Sequence, residues 1–346
     1  MEPSVAVVIL NWNGLSFLKS FLPQVVKSSY PNLQIIVGDN ASTDESVAYV
    51  SATFPQVKII CNKVNFGFAE GYNRVLSQVD TDYFVLLNSD VAVSGNWIMP
   101  VIEMMEADPS IAAAQPKIKS HIEPSKFEYA GAAGGFLDRF GFPFCRGRIF
   151  DVIEQDTGQY DDPVEIFWAS GAALFIKRDC WNVAGGLDPD FFAHMEEIDL
   201  CWRLQNLGYK VIYCPAAEVL HVGGGTLNST NPHKTFLNFR NNLYLMQKNL
   251  PGNALHLLLF ARIWIDFVAW IHFLIVGETK FAWAINKAHF YFFKNYRKTA
   301  KKRVKSQLAY SSLSGVFQSS IVWSFFIKKV KVFSELPFKP FRIKTR

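Results

Sequence analysis

Apolar and polar positions alternate in blocks along the first hundred residues, and the period changes from block to block. The run VAVVIL (5–10) is continuous and β-branched, as expected of a strand covered on both faces. LSFLKSFLPQVVKS repeats with helical period, and LQIIVGDNAS (33–42) is a second apolar run ending in polar residues. DESVAYVSATF predicts a helix, VKIICN a third strand, AEGYNRVLSQV (69–79) a helix, and YFVLLNSD (83–90) a fourth strand ending in a carboxylate. Strand and helix thus alternate four times, which predicts an α/β fold with a parallel sheet flanked by helices. The strands end in Asn11 and Asn13, Asp39 and Asn40, Asn65, and Asn88 and Asp90. Ligands of open α/β sheets bind at that edge, so the site is expected there.

From about 110 to 190 the pattern mixes short strands with Gly-rich loops (YAGAAGGFLDRFG, WASGAALFIKRD). Beyond 250 it changes again. ALHLLLFARIWIDFVAWIHFLIV (254–276) is long enough to span a bilayer, yet Arg262 and Asp266 lie near its middle, four apart. They could pair across one helical turn. KNYRKTAKKRVK (294–305) follows with seven basic residues in twelve. Aromatic residues beside a basic run suit a helix lying in a membrane interface, with a spanning helix or a soluble appendage as alternatives.

Charge sharpens this division. Residues 1–247 carry 17 Lys/Arg against 27 Asp/Glu, a net −10, and residues 248–346 carry 18 against 3, a net +15. An acidic body with a basic, aromatic tail argues against nucleic acid as a partner and for an anionic surface met by the tail. Half of the residues are hydrophobic, enough for a sizeable core. The five cysteines show no CxxC or Cys/His zinc spacing and are expected to be reduced, mostly buried thiols. MEPSVAVVILNWNG lacks a basic leader and reads as a buried first strand rather than a signal peptide.

Five stretches could carry chemistry. Asp90, at the end of a buried strand, is placed to hold a divalent cation, although Asn, Ser and Asp serve equally well in a cap or Asx turn. Asp39 could accept from the ring N–H of a base, while Ser42 or Asp44 caps the next helix. In NFGFAEGYN, Gly67 permits a close backbone approach, and the helix start that follows favours anions. In FFAHMEEIDLCWRL, Glu196, Asp199 and Arg203 share a helix face while Glu197 points about 100° away. Arg203 then neutralises Asp199 and leaves another carboxylate free, unless the group simply lines a wet face. His221 in VLHVGGGT is either a turn histidine or one beside a ligand on a flexible loop.

In order, VVILNWNG, VGDNASTDES, NFGFAEGYN, LLNSD, SGAALFIKRD, GGLDPDFFAHMEEIDLCWR and HVGGG resemble the motifs of glycosyltransferase family 2, and of its bacterial rhamnosyltransferase-like branch, over residues 4–250. The resemblance implies a GT-A fold and inverting transfer of a sugar from a nucleoside diphosphate, dTDP or UDP. It places Asn11 and Asn13 at the nucleotide and Asp39 at the base, and assigns Asn65, Gly67, Asn73, Asn88 and Arg203 to the same nucleotide-sugar site. Asp90 and His221 match metal ligands, for Mg²⁺ or Mn²⁺. The stretch NSD lacks the first carboxylate of a DxD motif, so metal affinity would lean on the diphosphate and on His221. EEID stands where the family has EDxD, with Glu197 at the position of the catalytic base and Glu196 or Asp199 as rivals.

The expected organisation is a GT-A domain over 1–250 and a basic, aromatic, helical, membrane-associating region over 251–346. The expected role is transfer of a sugar, rhamnose for preference, to a hydroxyl of a lipid-linked or polysaccharide acceptor at the cytoplasmic face of the inner membrane. The alternatives are a non-catalytic nucleotide-sugar-binding protein of the same fold and a nucleotidyltransferase. The latter lacks its usual basic, Gly-rich loop near the first strand.

Overall fold

The computed structural model describes residues 2–223, 231–304 and 308–341; Gly224, Gly225 and Thr226 of the glycine run lie outside the described residues. The amino-terminal alternation forms β1 (Val5–Asn11), α1 (Leu15–Val26), β2 (Leu33–Asp39), α2 (Ser46–Thr53), β3 (Lys58–Cys61), α3 (Gly67–Leu76) and β4 (Tyr83–Leu87). β4, β1, β2 and β3 lie side by side and parallel. The continuous apolar run of β1 follows from this position. Val5, Val7 and Ile9 pack into one core and Ala6 and Val8 into the other, on opposite faces of the sheet. Full burial of each such valine is worth roughly 1.5–3 kcal/mol.

β5 (Val91–Val93), α4 (Met99–Ala107) and β6 (Ile111–Ser120) follow. β7 (Gly135–Asp138), β8 (Pro143–Cys145), β9 (Arg148–Ile149) and β10 (Val152–Ile153) then leave the main sheet. β11 (Val164–Glu165), β12 (Ala173–Lys177), α5 (Arg178–Ala184), α6 (Glu196–Asn206) and β13 (Lys210–His221) return to it. Beyond β4 the sheet is mixed, because β12 inserts antiparallel between β4 and β6. β13 runs parallel to β6, and its register shifts between Cys214 and Glu218. Its last residues then pair antiparallel with β5, His221 opposite Val91. That irregularity carries His221 to the end of β4.

The carboxy-terminal third comprises α7 (Pro232–Asn249), α8 (Gly252–Ile275), α9 (Thr279–Lys301), β14 (Val316–Phe317) and α10 (Ile321–Phe326). No seam falls at residue 250. β14 pairs with β7 and closes a five-stranded sheet with β8, β9 and β10. Phe317, Phe333 and Phe338 pack against Phe136 and Phe144 of that sheet. Tyr310 stacks on Trp202 of α6 and donates to the Asp138 carbonyl at 2.7 Å. Stretches on both sides of residue 250 therefore share one core.

α8 and α9 form a hairpin over α7. The charged pair that interrupts the apolar run faces inward: Arg262 Nε donates to Asp266 Oδ1 at 2.7 Å, and both residues are buried. Arg262 also donates to Asn242 on α7 and lies 3.7 Å from the centre of the Phe142 ring, while His289 on α9 contacts Asp266 Oδ2 at 3.1 Å. A charge that would be costly in lipid is thus held by protein groups. The outer face is apolar, with Trp264, Val268, Trp283, Phe290 and Phe293 all more than half exposed.

Candidate active site

The ends of β1, β2 and β4 meet at one edge. Asn11 Nδ2 donates to Asp39 Oδ1 at 3.2 Å and to Ser42 Oγ at 3.1 Å, and Ser42 N–H donates to Asp39 Oδ2 at 2.9 Å. The Asn11 Oδ1 is buried without a partner among the described residues, and a Cβ at Gly14 would sit 2.4 Å from it. Asn13, in a left-handed conformation, accepts from the N–H groups of Thr43 and Asp44. Asn13 therefore staples the loop after β1 to the loop after β2.

The polar groups of the NFGFAEGYN stretch bond within the protein. Asn65 Oδ1 accepts from Gly67 N–H and from Asn40 Nδ2, both at 2.9 Å. Gly67, at φ +76°, makes room for the Phe192 ring, 2.7 Å from where a Cβ would stand. The start of α3, expected to favour an anion, is instead met by the Phe192 carbonyl, which accepts from Phe68 N–H at 3.1 Å. Asn73, which the resemblance assigns to the nucleotide-sugar site, faces backbone. Its amide bonds both ways to the Leu187 backbone, donating at 2.8 Å and accepting at 3.0 Å. This stretch supports the loop that leads into α6.

At the end of β4, Asp90 Oδ1 lies 3.1 Å from His221 Nε2, and Asn88 Nδ2 lies 3.4 Å from the same nitrogen. Glu128, unforeseen in the sequence, stands on the other side of the ring, its Oε2 at 3.5 Å from Nδ1. Burial alone would lower the His221 pKa, but the Asp90 and Glu128 carboxylates carry it up to about 10. Carboxylate oxygen and imidazole nitrogen are donors that suit Mg²⁺ or Mn²⁺, and a cation would take the place of that proton. Among the described residues no group of three or more His, Cys, Asp or Glu is arranged to hold a metal. Asp90 and His221 supply two donors of that kind, 3.1 Å apart.

The three carboxylates of α6 have separate fates. Asp199 is fully buried and ion-paired, accepting from Arg203 Nε at 2.9 Å, Lys248 Nζ at 2.8 Å and Asn249 Nδ2 at 2.8 Å. Burial would raise its pKa, but the charges of Arg203 and Lys248 hold it below the usual carboxylate value. Arg203, expected at the nucleotide sugar, is instead committed to Asp199 and to the carbonyls of Ala184 and Gly186. Glu196 is 4% exposed, and burial together with the Glu197 charge raises its pKa well above the ordinary range. Glu197 is half-buried, and its Oε2 has no partner among the described residues. Burial pushes its pKa up to about 7. A carboxylate of that pKa is matched to general-base work near neutral pH.

The loop before these residues is strained. Phe192, His194 and Met195 all have positive φ, and Ala193 N–H closes a tight turn on the Phe191 carbonyl at 2.8 Å. One side chain from α7 holds it: Asn241 Nδ2 donates to the carbonyls of Phe191, Ala193 and His194 at 3.0, 2.9 and 2.7 Å. Asn241, Lys248 and Asn249 were not singled out in the sequence. The signal available was FLNFRNNLYLMQKN, in which Asn241 and Lys248 fall seven apart on one helix face.

The family model described as "Glycosyl transferase family 2" matches residues 6–170. The N-acetylglucosaminyl-diphospho-decaprenol L-rhamnosyltransferase of Mycobacterium tuberculosis (strain CDC 1551 / Oshkosh) is 23% identical over 235 residues, covering 64% of this chain and 76% of that protein. Rhamnosyltransferase WbbL of Escherichia coli (strain K12) is 22% identical over 224 residues, covering 63% of this chain and 83% of that protein. Among solved structures, the mannosyltransferase PcManGT from Pyrobaculum calidifontis, in complex with GDP-Man and Mn²⁺, superposes with a TM-score of 0.51 at 14% identity, over 86% of this chain and 76% of that one. GalNAc-T7 with UDP, GalNAc and Mn²⁺ gives 0.55 at 16% identity, over 71% of this chain and 48% of that one, about half its length. The two superpositions show a shared GT-A fold.

Proposed function

We propose, from the premise that this chain is a glycosyltransferase of the family 2 kind with a GT-A fold, that it moves a sugar from a dTDP- or UDP-sugar to a hydroxyl of a lipid-linked glycan, with inversion. The observation that carries the reading is the sorting of the α6 carboxylates: Asp199 ion-paired, Glu196 buried and Glu197 half-buried, with one oxygen of each glutamate lacking a partner among the described residues. In this mechanism the acceptor oxygen forms its bond to the anomeric carbon from the side opposite the diphosphate. The bond from that carbon to the phosphate oxygen breaks, its electron pair leaving with the diphosphate, and Glu197 receives the acceptor's proton. Asn11 and Asp39 orient the base and ribose end, and Asn241 keeps the loop bearing Glu197 in place. Asp90 and His221 would hold Mg²⁺ or Mn²⁺, which supplies charge neutralisation for the departing diphosphate. Similarity to two rhamnosyltransferases supports rhamnose as the sugar and a lipid diphosphate-linked acceptor. A product carrying a sugar other than rhamnose would remove the rhamnose assignment.

The test is thermal stabilisation of the purified protein by UDP, dTDP and GDP, each with and without Mn²⁺. A ligand at a hundredfold excess over its Kd adds about 2.7 kcal/mol to native-state stability. Stabilisation by UDP or dTDP that needs Mn²⁺ and disappears in Asp90→Ala is the expected result. A folded protein that none of the three stabilises would leave the non-catalytic reading standing.

The α8–α9 hairpin supports a peripheral position at the cytoplasmic face of the inner membrane. Its outer face joins Trp264, Trp283, Phe290 and Phe293 to exposed Lys280, Lys287, Lys294, Arg297 and Lys301. Each basic residue near an anionic surface contributes about 1 kcal/mol. α8 is by length and composition also able to cross a membrane, but the inward Arg262–Asp266 pair suits a helix lying along the surface. The protein is expected to sediment with phosphatidylglycerol vesicles, to do so less at high salt, and to be released by alkaline carbonate. Retention after carbonate would indicate a span, and absence of vesicle binding would remove the membrane role.

A further inference from the structure

A cavity of about 230 Å³ opens between the catalytic loop and the hairpin, lined by Asp190, Arg240, Tyr244, Tyr291, Asn295 and Lys298. One wall is the loop leading to Glu196 and Glu197, and the other is α9. Lys298 and Lys302 share Asp190, each at 2.7 Å, and Lys302 also meets Asp188 at 2.6 Å. Arg240 has no carboxylate at ion-pair distance among the described residues. Its Nη2 donates to the carbonyls of Asp190 and Phe191 and to Asn241 Oδ1, which its Nε also meets. Its Nη1 donates to nothing among the described residues. Burial lowers its pKa below the usual arginine value, as expected of a cation short of counter-charge.

The cavity therefore presents a guanidinium, a partly shared ammonium, the Asp190 carboxylate already paired with Lys298 and Lys302, and neutral tyrosine and asparagine groups. Phosphate oxygens suit that set, because guanidinium forms charge-assisted, directional bonds to them. The position adds a second requirement. Phe290 and Phe293 are exposed on α9 and belong to the apolar face of the hairpin, about 100° and 160° around that helix from Tyr291. A hydrocarbon substituent on a phosphate held by Arg240 can run around α9 to that face. We propose that this cavity binds the phosphate or diphosphate group of the lipid-linked acceptor. The assignment rests on the transferase reading above, and it makes Arg240 the residue that selects a phosphorylated lipid over a free glycan.

The full-length protein in detergent micelles, saturated with UDP and Mn²⁺, is titrated calorimetrically with farnesyl diphosphate and separately with inorganic pyrophosphate. Farnesyl diphosphate should bind, pyrophosphate more weakly, and Arg240→Gln should weaken the former by ~10–100-fold. Stabilisation by UDP and Mn²⁺ should be unchanged in that variant. Lys298→Gln, at an exposed position, should weaken farnesyl diphosphate by ~3–10-fold and covers the case in which Arg240→Gln loosens the loop. Equal affinity in the wild type and both variants, or no farnesyl diphosphate binding by protein that binds UDP, overturns the site and leaves the transferase reading intact. Pyrophosphate binding as tightly as farnesyl diphosphate overturns the lipid part. Phosphatidylglycerol micelles that compete fully with farnesyl diphosphate would show general lipid-phosphate recognition and overturn the acceptor assignment. A protein that binds neither UDP nor dTDP but does bind farnesyl diphosphate through Arg240 instead overturns the transferase reading.

Discussion

Glu197→Gln is expected to lower kcat by about 10²–10⁴-fold while UDP and Mn²⁺ still stabilise the protein. The amide matches the carboxylate in shape, so the loop and the start of α6 keep their packing, but it cannot take a proton. Glu196→Gln should cost far less, because that side chain is 4% exposed and closed to a substrate hydroxyl. Asp199 is not available as a base, since Arg203, Lys248 and Asn249 already engage it. The pH dependence carries the same assignment. Burial raises the Glu197 pKa to about 7, and the base works as the carboxylate. Activity should therefore climb by nearly tenfold per pH unit below about 7 and level off above it. The neighbouring Glu196 shares this titration, so the profile belongs to the pair. A steady-state kinetic comparison of the two Gln variants from pH 5 to 9 decides the matter. A larger loss in Glu196→Gln would transfer the role to that residue, and a flat profile would remove the perturbed base altogether.

How much of this was legible beforehand depended on whether the determining contacts were local. β1 and β4 were legible because each is buried on both faces and reads as an unbroken apolar run, and the edge strand β3 was legible from its short Ile-Ile core. The strand ends placed Asn11 and Asp39 together, since β1 and β2 are adjacent and in register, Asn11 opposite Asp39. The pairing of Arg262 with Asp266 followed from helix spacing alone. Asn73 and Arg203 were assigned to the nucleotide because they sit in motif-like stretches, but each is turned toward backbone groups more than fifteen residues away. Only the folded loop supplies those partners. Glu128 was invisible for a related reason: it comes from an irregular stretch, and the register shift in β13 brings His221 to it. α7 was the larger omission. Its Asn241 and Lys248 are buried polar groups in a helix of mixed character, a pattern that asks for a partner but does not name one.

Lys248→Met is expected to destabilise the fold, by less than the roughly 3–5 kcal/mol of a buried ion left wholly uncompensated. Lys248 Nζ lies 2.8 Å from both Asp188 and Asp199, and all three side chains are at most 7% exposed. Removing it leaves Asp199 to Arg203 and Asn249, and Asp188 to Lys302. Replacing Asp199 by Asn alone should cost less, because the amide still accepts a bond and the cations keep other contacts. The double variant should then fall short of the sum of the singles, since each substitution relieves the charge the other exposes. Acid denaturation supplies an independent reading with a fixed sign. Lys248 and Arg203 hold Asp199 below the ordinary carboxylate pKa, and Lys248 and Lys302 do the same for Asp188, both against the opposing effect of burial. Their contribution is fully present above the unfolded carboxylate pKa and is lost as pH falls through the lower folded values. Melting temperatures between pH 3 and 7 should drop on acidification in the wild type and drop less steeply in Lys248→Met. At neutral pH the variant should melt several degrees lower, and its remaining activity should fall with the anchoring of α6, because Asp199 fixes the same first turn that presents Glu197. A loss of under about 1 °C at pH 7 would mean that this network contributes little to holding the catalytic helix, and that packing of Trp202 and Tyr310 does so instead.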